Sequence, residues 1–175
     1  DSGDARAAIK LLSMGCHPDS TSETPTGPVS ALAAAAGFGS ADVAKILLQA
    51  GANPNGIEGE TPPIMVAAAK DDLEMCLALI GAGADPDLSD MEGGTARFRA
   101  AAEGRVETSR LLAEEGSEPC RPGPGGVTPE EIATKDCETA ISAGLAIRRI
   151  RHEASVLAIL VANPAGPAIG RAWRI

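Results

Sequence analysis

At 175 residues the chain can form one domain or one short repeat array, and its net charge of −9 disfavours a nucleic-acid partner. Alanine is the commonest of its apolar residues, with two Phe, one Trp and no Tyr. A core of such small side chains suits helices packed at short range better than a β-sandwich.

In chain order, the first element is a helix in "DARAAIKLL" (4–12), ended by Gly15. Three stretches then align without a gap: "SALAAAAGFGSADVAKILLQAG" (30–51), "PPIMVAAAKDDLEMCLALIGAG" (62–83) and "TARFRAAAEGRVETSRLLAEEG" (95–116). Each reads as a short alanine-rich helix, a tight turn, and a second helix with apolar residues at i, i+3 and i+4. The turns are Gly37-Phe38-Gly39, Lys70-Asp71-Asp72 and Glu103-Gly104-Arg105. The glycines that end the second helices (15, 51, 83 and 116) are 36, 32 and 33 residues apart. A period near 33 is the mark of stacked supersecondary units. A proline two or three residues beyond keeps each helix from continuing. A fourth unit opens as "VTPEEIATKD" (127–136) and then leaves the pattern in a longer, Arg-bearing helix.

These copies resemble the ankyrin repeat. "GANPN" (51–55), "GADPD" (83–87) and "AAAEGRVETSRLL" (100–112) follow the family's pattern, and the resemblance covers residues 4 to about 135. It implies an all-α solenoid of helix-turn-helix units over residues 1–144. Within it we expect a half repeat at 1–19, repeats at about 26–55, 58–87 and 91–120, and a divergent repeat from about 124. Residues 145–175 form a basic and apolar cap and tail. The family's "TPLH" appears as "SALA", "PPIM" and "TARF", so its histidine is missing from every copy and hydrogen bonding between repeats must differ.

No catalytic constellation can be assembled: the two His, at 17 and 152, have no nucleophile at a comparable repeat position. "RPGPGGVTPE" (121–130) lacks the GK[ST] ending of a phosphate loop, and the acidic "DLSDMEGG" (87–94) lacks the distal glutamate of a calcium loop. Four cysteines (16, 76, 120 and 137) form no CxxC pair or zinc-spaced cluster, which reads as free thiols in a reducing, intracellular compartment: cytosol, nucleus or organelle interior. The expectation is a non-enzymatic module with no cofactor or metal. The chain begins at Asp1 without methionine, which we read as a processed form or a part of something longer.

The resemblance implies binding of a protein on a concave face of finger loops and inner-helix ends. Mapped here, the fingers supply Thr26, Glu58, Glu60, Asp90, Met91 and Glu92, and the inner helices supply Phe38, Lys70, Glu103, Lys135 and Asp136, with Ala69 and Ala102 beside them. The acidic fingers call for a partner with basic residues. Two readings of Phe38 stand side by side: an anchor for the partner, or packing on the neighbouring turn. Arg97 and Arg99 occupy positions where the family has leucine. A buried arginine needs a partner, and the repeat register places Glu130 opposite Arg97, so we expect an ion pair between them.

Residues 1–144 carry 10 Lys/Arg against 23 Asp/Glu, a net −13, whereas residues 145–175 carry five Arg and one Glu, a net +4. The run 156–162, "VLAILVA", is far short of the roughly 20 residues of a membrane span. The segment has three readings: a cap over the last repeat (141–162), a docking tail gripping another protein through Arg148, Arg149, Arg151, Arg171, Trp173 and Arg174, or peripheral contact with an anionic membrane. Besides an interaction module, the chain therefore reads as an accessory subunit of a larger, organellar or membrane-associated assembly, docked through this tail. A third reading is the regulatory array of a longer protein.

Overall fold

A computed structural model of the chain describes residues 2–25, 27–116, 123–133 and 135–162; within these, side chains are described except at 2, 3, 130, 135–140 and 156–162. The helices stack in two rows. An inner row comprises α2 (Ala31–Phe38), α4 (Pro63–Ala69), α6 (Ala96–Ala102) and α8 (Pro129–Ile132), each packed on the next. An outer row comprises α1 (Ser2–Ser13), α3 (Ala41–Gln49), α5 (Leu73–Gly81), α7 (Val106–Glu115) and α9 (Lys135–Ala162). This is the expected all-α solenoid.

Local chemistry sets each helix. Ser30 caps α2, its Oγ accepting from the amide of Ala33 at 3.1 Å, and Thr95 caps α6 in the same way. Pro63 opens α4, where a missing N–H leaves no bond unmade. The outer helices end at Gly15, Gly51, Gly83 and Gly116, with φ of 90°, 91°, 93° and 130°, a turn that a side chain would strain. The inner-to-outer turns need one left-handed residue each. Gly39 and Gly104 supply it in two repeats, and Asp71, at φ 61°, in the third.

The core runs between the rows as a chain of Leu32, Ile64, Met65, Met75, Leu79 and Leu112, spaced by fully buried alanines such as Ala36, Ala44, Ala68 and Ala100. Small residues let the helix axes approach, and each buried leucine contributes on the order of 2 kcal/mol.

The fourth unit keeps the repeat's opening and abandons its proportions. Thr128 and Glu131 close a capping box and Pro129 starts the helix, yet α8 ends after four residues. The next helix, α9, then runs for 28 residues and lies along α7. The boundary expected at 144/145 therefore falls inside a continuous helix. Lys135 and Asp136, expected at the end of an inner helix, instead open α9, because α8 stops early. At Gly144 the two helices nearly touch: a Cβ there would lie 2.5 Å from the carbonyl oxygen of Arg110.

Candidate protein-binding face

Three finger loops project beside the inner row. The first is a two-stranded hairpin, β1 (Thr21–Thr24) against β2 (Gly27–Ser30), with Thr21 paired to Ser30 and Thr24 to Gly27. Its tip residue, Thr26, lies outside the described residues. The third is closed by a bridge between Ser89 and Thr95. The second, around 57–61, is tied to the first through one carboxylate. Glu60 accepts from the backbone amide and the hydroxyl of Ser30, at 2.7 and 2.8 Å, and from the amide of Ile57 at 2.8 Å. Asp90 plays the corresponding part within the third finger, accepting from the amides of Glu92 and Gly94 at 3.0 and 2.8 Å and from Arg99 at 3.0 Å.

The missing histidines are replaced by a different set of cross-repeat bonds. In the loops after α1, α3 and α5, the residue before proline accepts from the amide two positions on: His17 from Asp19, Asn53 from Asn55, Asp85 from Asp87. The residue after proline then reaches the next repeat, where Asp19 accepts from the amide of Asn53 at 2.8 Å and Asn55 from that of Asp85 at 2.7 Å. Within the stack, Thr108 donates to Asp71 at 2.6 Å and Arg105 Nε to the carbonyl of Ala69 at 3.0 Å. The bond to Thr108 helps hold Asp71 in its left-handed turn. The sequence carried a signal for the loop ladder that went unread: a polar Asp or Asn after proline at 19, 55 and 87.

With the fingers set, the expected binding residues divide. Phe38 is 85% exposed and Met91 91% exposed, so Phe38 does not pack on the neighbouring turn. Glu58, Lys70, Glu92 and Glu103 are exposed as well. Glu60 and Asp90, by contrast, are half-buried and hold the fingers in shape. The side chains of Lys135 and Asp136 lie outside the described residues. Between fingers and inner helices runs an open groove of about 440 Å³, with Val29, Ala33 and Val66 on its floor and Asp90, Met91 and Glu92 along one side.

Arg97 is 1% exposed in α6; the side chain of Glu130, its expected partner, lies outside the described residues. Of the expected docking arginines, Arg151 turns inward, 3.0 Å from Glu115 and 3.8 Å from Glu114 at the end of α7. Arg149 pairs with Glu153 one turn on, at 3.1 Å, and Arg148 is half-buried. Arg171, Trp173 and Arg174 lie outside the described residues.

Burial pushes the Cys76 thiol up to about 12, with Asp72 and Asp71 adding to it, so it is no nucleophile at neutral pH. Among the described residues no group of three or more His, Cys, Asp or Glu is placed to hold a metal ion. Nor is any helix long and apolar enough to cross a membrane.

A family model described as ankyrin repeats in three copies matches residues 1–90 and again 64–147. Such repeats are in general protein–protein interaction modules and are typically non-enzymatic. The two-row stack, the fingers and these matches together place the chain in the ankyrin-repeat family.

Proposed function

We propose that the chain binds an extended, basic protein segment along the groove between fingers and inner helices, with one apolar side chain of that segment seated against Met91 in the groove and another against Phe38 at the far end of α2. The observation that carries this reading is the pairing of two almost fully exposed large apolar side chains with an acidic rim. Met91, on the groove, is 91% exposed and Phe38, at the end of α2, 85%; Glu92 is exposed on the groove and Glu58 on the adjoining finger. Large apolar groups left in water on a rigid concave face are the usual anchors of a protein interface. The carboxylates supply steering and register. No step of chemistry is required of the site.

The test is fluorescence anisotropy with a labelled peptide of alternating Arg and Leu as probe. Met91→Ala combined with Glu92→Lys should weaken binding about tenfold or more, a loss of about 1.4 kcal/mol. Asp42→Lys, on outer helix α3, should leave it within about twofold, a few tenths of a kcal/mol. Equal losses at both places would mean that the acidic surface attracts the probe without a site, and would overturn the proposal.

A second reading, an accessory subunit held through the N-terminal end of the stack, draws on α1. Ile9, Leu11 and Met14 are 53%, 54% and 71% exposed there, and an apolar cleft of about 360 Å³ opens between α1 and α3, lined by Leu11, Leu12, Val43 and Leu47. Co-purification at fixed stoichiometry would favour this reading, and reversible exchange of the partner would favour the first.

A further inference from the structure

The helix α9 has two faces. Ile141 and Gly144 are buried and Leu145 and Arg148 half-buried, a stripe that faces α7. On the opposite side, Ala143, Ile147, Ile150 and Ala154 are exposed, Ile147 by 39% and Ile150 by 66%. Their spacing is four, three, four, and the helix continues it with Leu at 157 and Val at 161. Apolar positions alternating by three and four make the narrow seam of a coiled coil rather than the broad face of a core or interfacial helix.

The helix also overruns its support: its 28 residues span about 42 Å, against about 15 Å for the 10 residues of α7. Its N-terminal half is packed on α7, so the seam is presented on a preorganised helix and little entropy is lost on pairing.

The charges beside the seam are already matched within the chain. Arg151 is paired with Glu115 and Glu114, and Arg149 with Glu153. An apolar stripe rimmed by internally compensated charges asks for neither an anionic lipid surface nor a strongly charged foreign helix.

We propose that this seam is an isologous interface, in which α9 of one molecule pairs antiparallel with α9 of a second copy about a two-fold axis near His152. In that register Ile150 lies against Ala154 of the second copy, a large residue facing a small one, and position 147 falls opposite position 157 of the helix. A parallel pair would set Ala143 on Ala143 and Ala154 on Ala154, leaving voids. It would also bring two repeat arrays of net −13 side by side, whereas the antiparallel pair holds them at opposite ends. Arg151 approaches its own symmetry mate in this arrangement, and each copy is offset by its own Glu114 and Glu115.

The experiment is light scattering of the whole chain on a sizing column at micromolar concentration. The expected mass is that of two chains. Ile147→Glu with Ile150→Glu, both at exposed positions, should give one chain with an unchanged circular dichroism spectrum. A monomer at every concentration overturns the proposal, as does a dimer that survives the double substitution. So does a monomer whose binding to phosphatidylserine vesicles depends on Ile147 and Ile150. Orientation is read by cysteine cross-linking in a background with Cys16, Cys120 and Cys137 replaced by Ser. Ile147→Cys with Leu157→Cys should give a disulfide-linked dimer on mild oxidation, and Ile147→Cys alone should not; cross-linking by the single variant overturns the antiparallel arrangement.

Discussion

The three central repeats and the C-terminal unit solve one packing problem in two ways. In the central repeats an inner helix of seven or eight residues faces an outer helix of nine or ten, and bonds between copies join the first two fingers and the second and third turns. The C-terminal unit has the same entrance, Thr128-Pro129, but an inner helix of four residues and an outer helix of 28. A repeat inside the stack is held by neighbouring copies on both sides, whereas in the C-terminal unit one long helix lies along α7. Stability in such an array is a sum of neighbour terms, so changes in the two regions should be separable.

The largest effect is expected at the junction of the two regions. Gly144→Val would drive a side chain into the backbone carbonyl of Arg110, with Ala113 also close, and overpacking of this kind costs about 1–3 kcal/mol. Hydrogen exchange should report loss of protection in α9 and α7 while α2 to α5 keep theirs. Uniform loss across the stack would break the division drawn here.

A smaller effect belongs to the central repeats. Glu60→Ala removes the acceptor for Ser30 and Ile57 and should lower stability by about 1–2 kcal/mol in denaturant titrations. Exchange should quicken in the first two fingers and leave α9 unchanged. The same substitution also separates a structural carboxylate from Glu58 and Glu92, the carboxylates proposed to bind, whose loss should leave stability within about 0.5 kcal/mol.

The smallest is electrostatic and lies in the C-terminal unit. Hydrogen bonds from the Thr128 amide and hydroxyl hold the Glu131 carboxyl below its usual 4.5. A carboxylate whose folded value is depressed stabilises above its unfolded value and loses that advantage as pH falls through the folded one. Wild type should therefore exceed Glu131→Ala in stability at pH 7 by a margin that shrinks on acidification below the usual carboxylate range. A margin independent of pH would assign the effect to contacts of the Glu131 side chain that do not depend on its charge rather than to the ionised cap.

Much of this molecule was legible in its residues, and the reason is local. A 3.6-residue period, a glycine at the end of each outer helix and a proline beyond it need no knowledge of distant parts of the chain. They determined the helix order of the three central repeats and the two-row stack. The same register placed Met91 on a finger and Phe38 at the end of an inner helix, and the structure decided that Phe38 is exposed.

What only the tertiary structure decided are relations between copies. Glu60 and Asp90 looked like binding carboxylates of the fingers, yet each is drawn into hydrogen bonds whose donors sequence spacing does not single out. The histidine that the family uses was absent, and its replacements, Asp19 to Asn53 and Asn55 to Asp85, join residues about one repeat apart. The length of α9 and its passage through residue 144 were hidden for a related reason. A helix stops where its surroundings stop supporting it, and support for α9 comes from α7, about one repeat away in sequence and in direct contact in the fold.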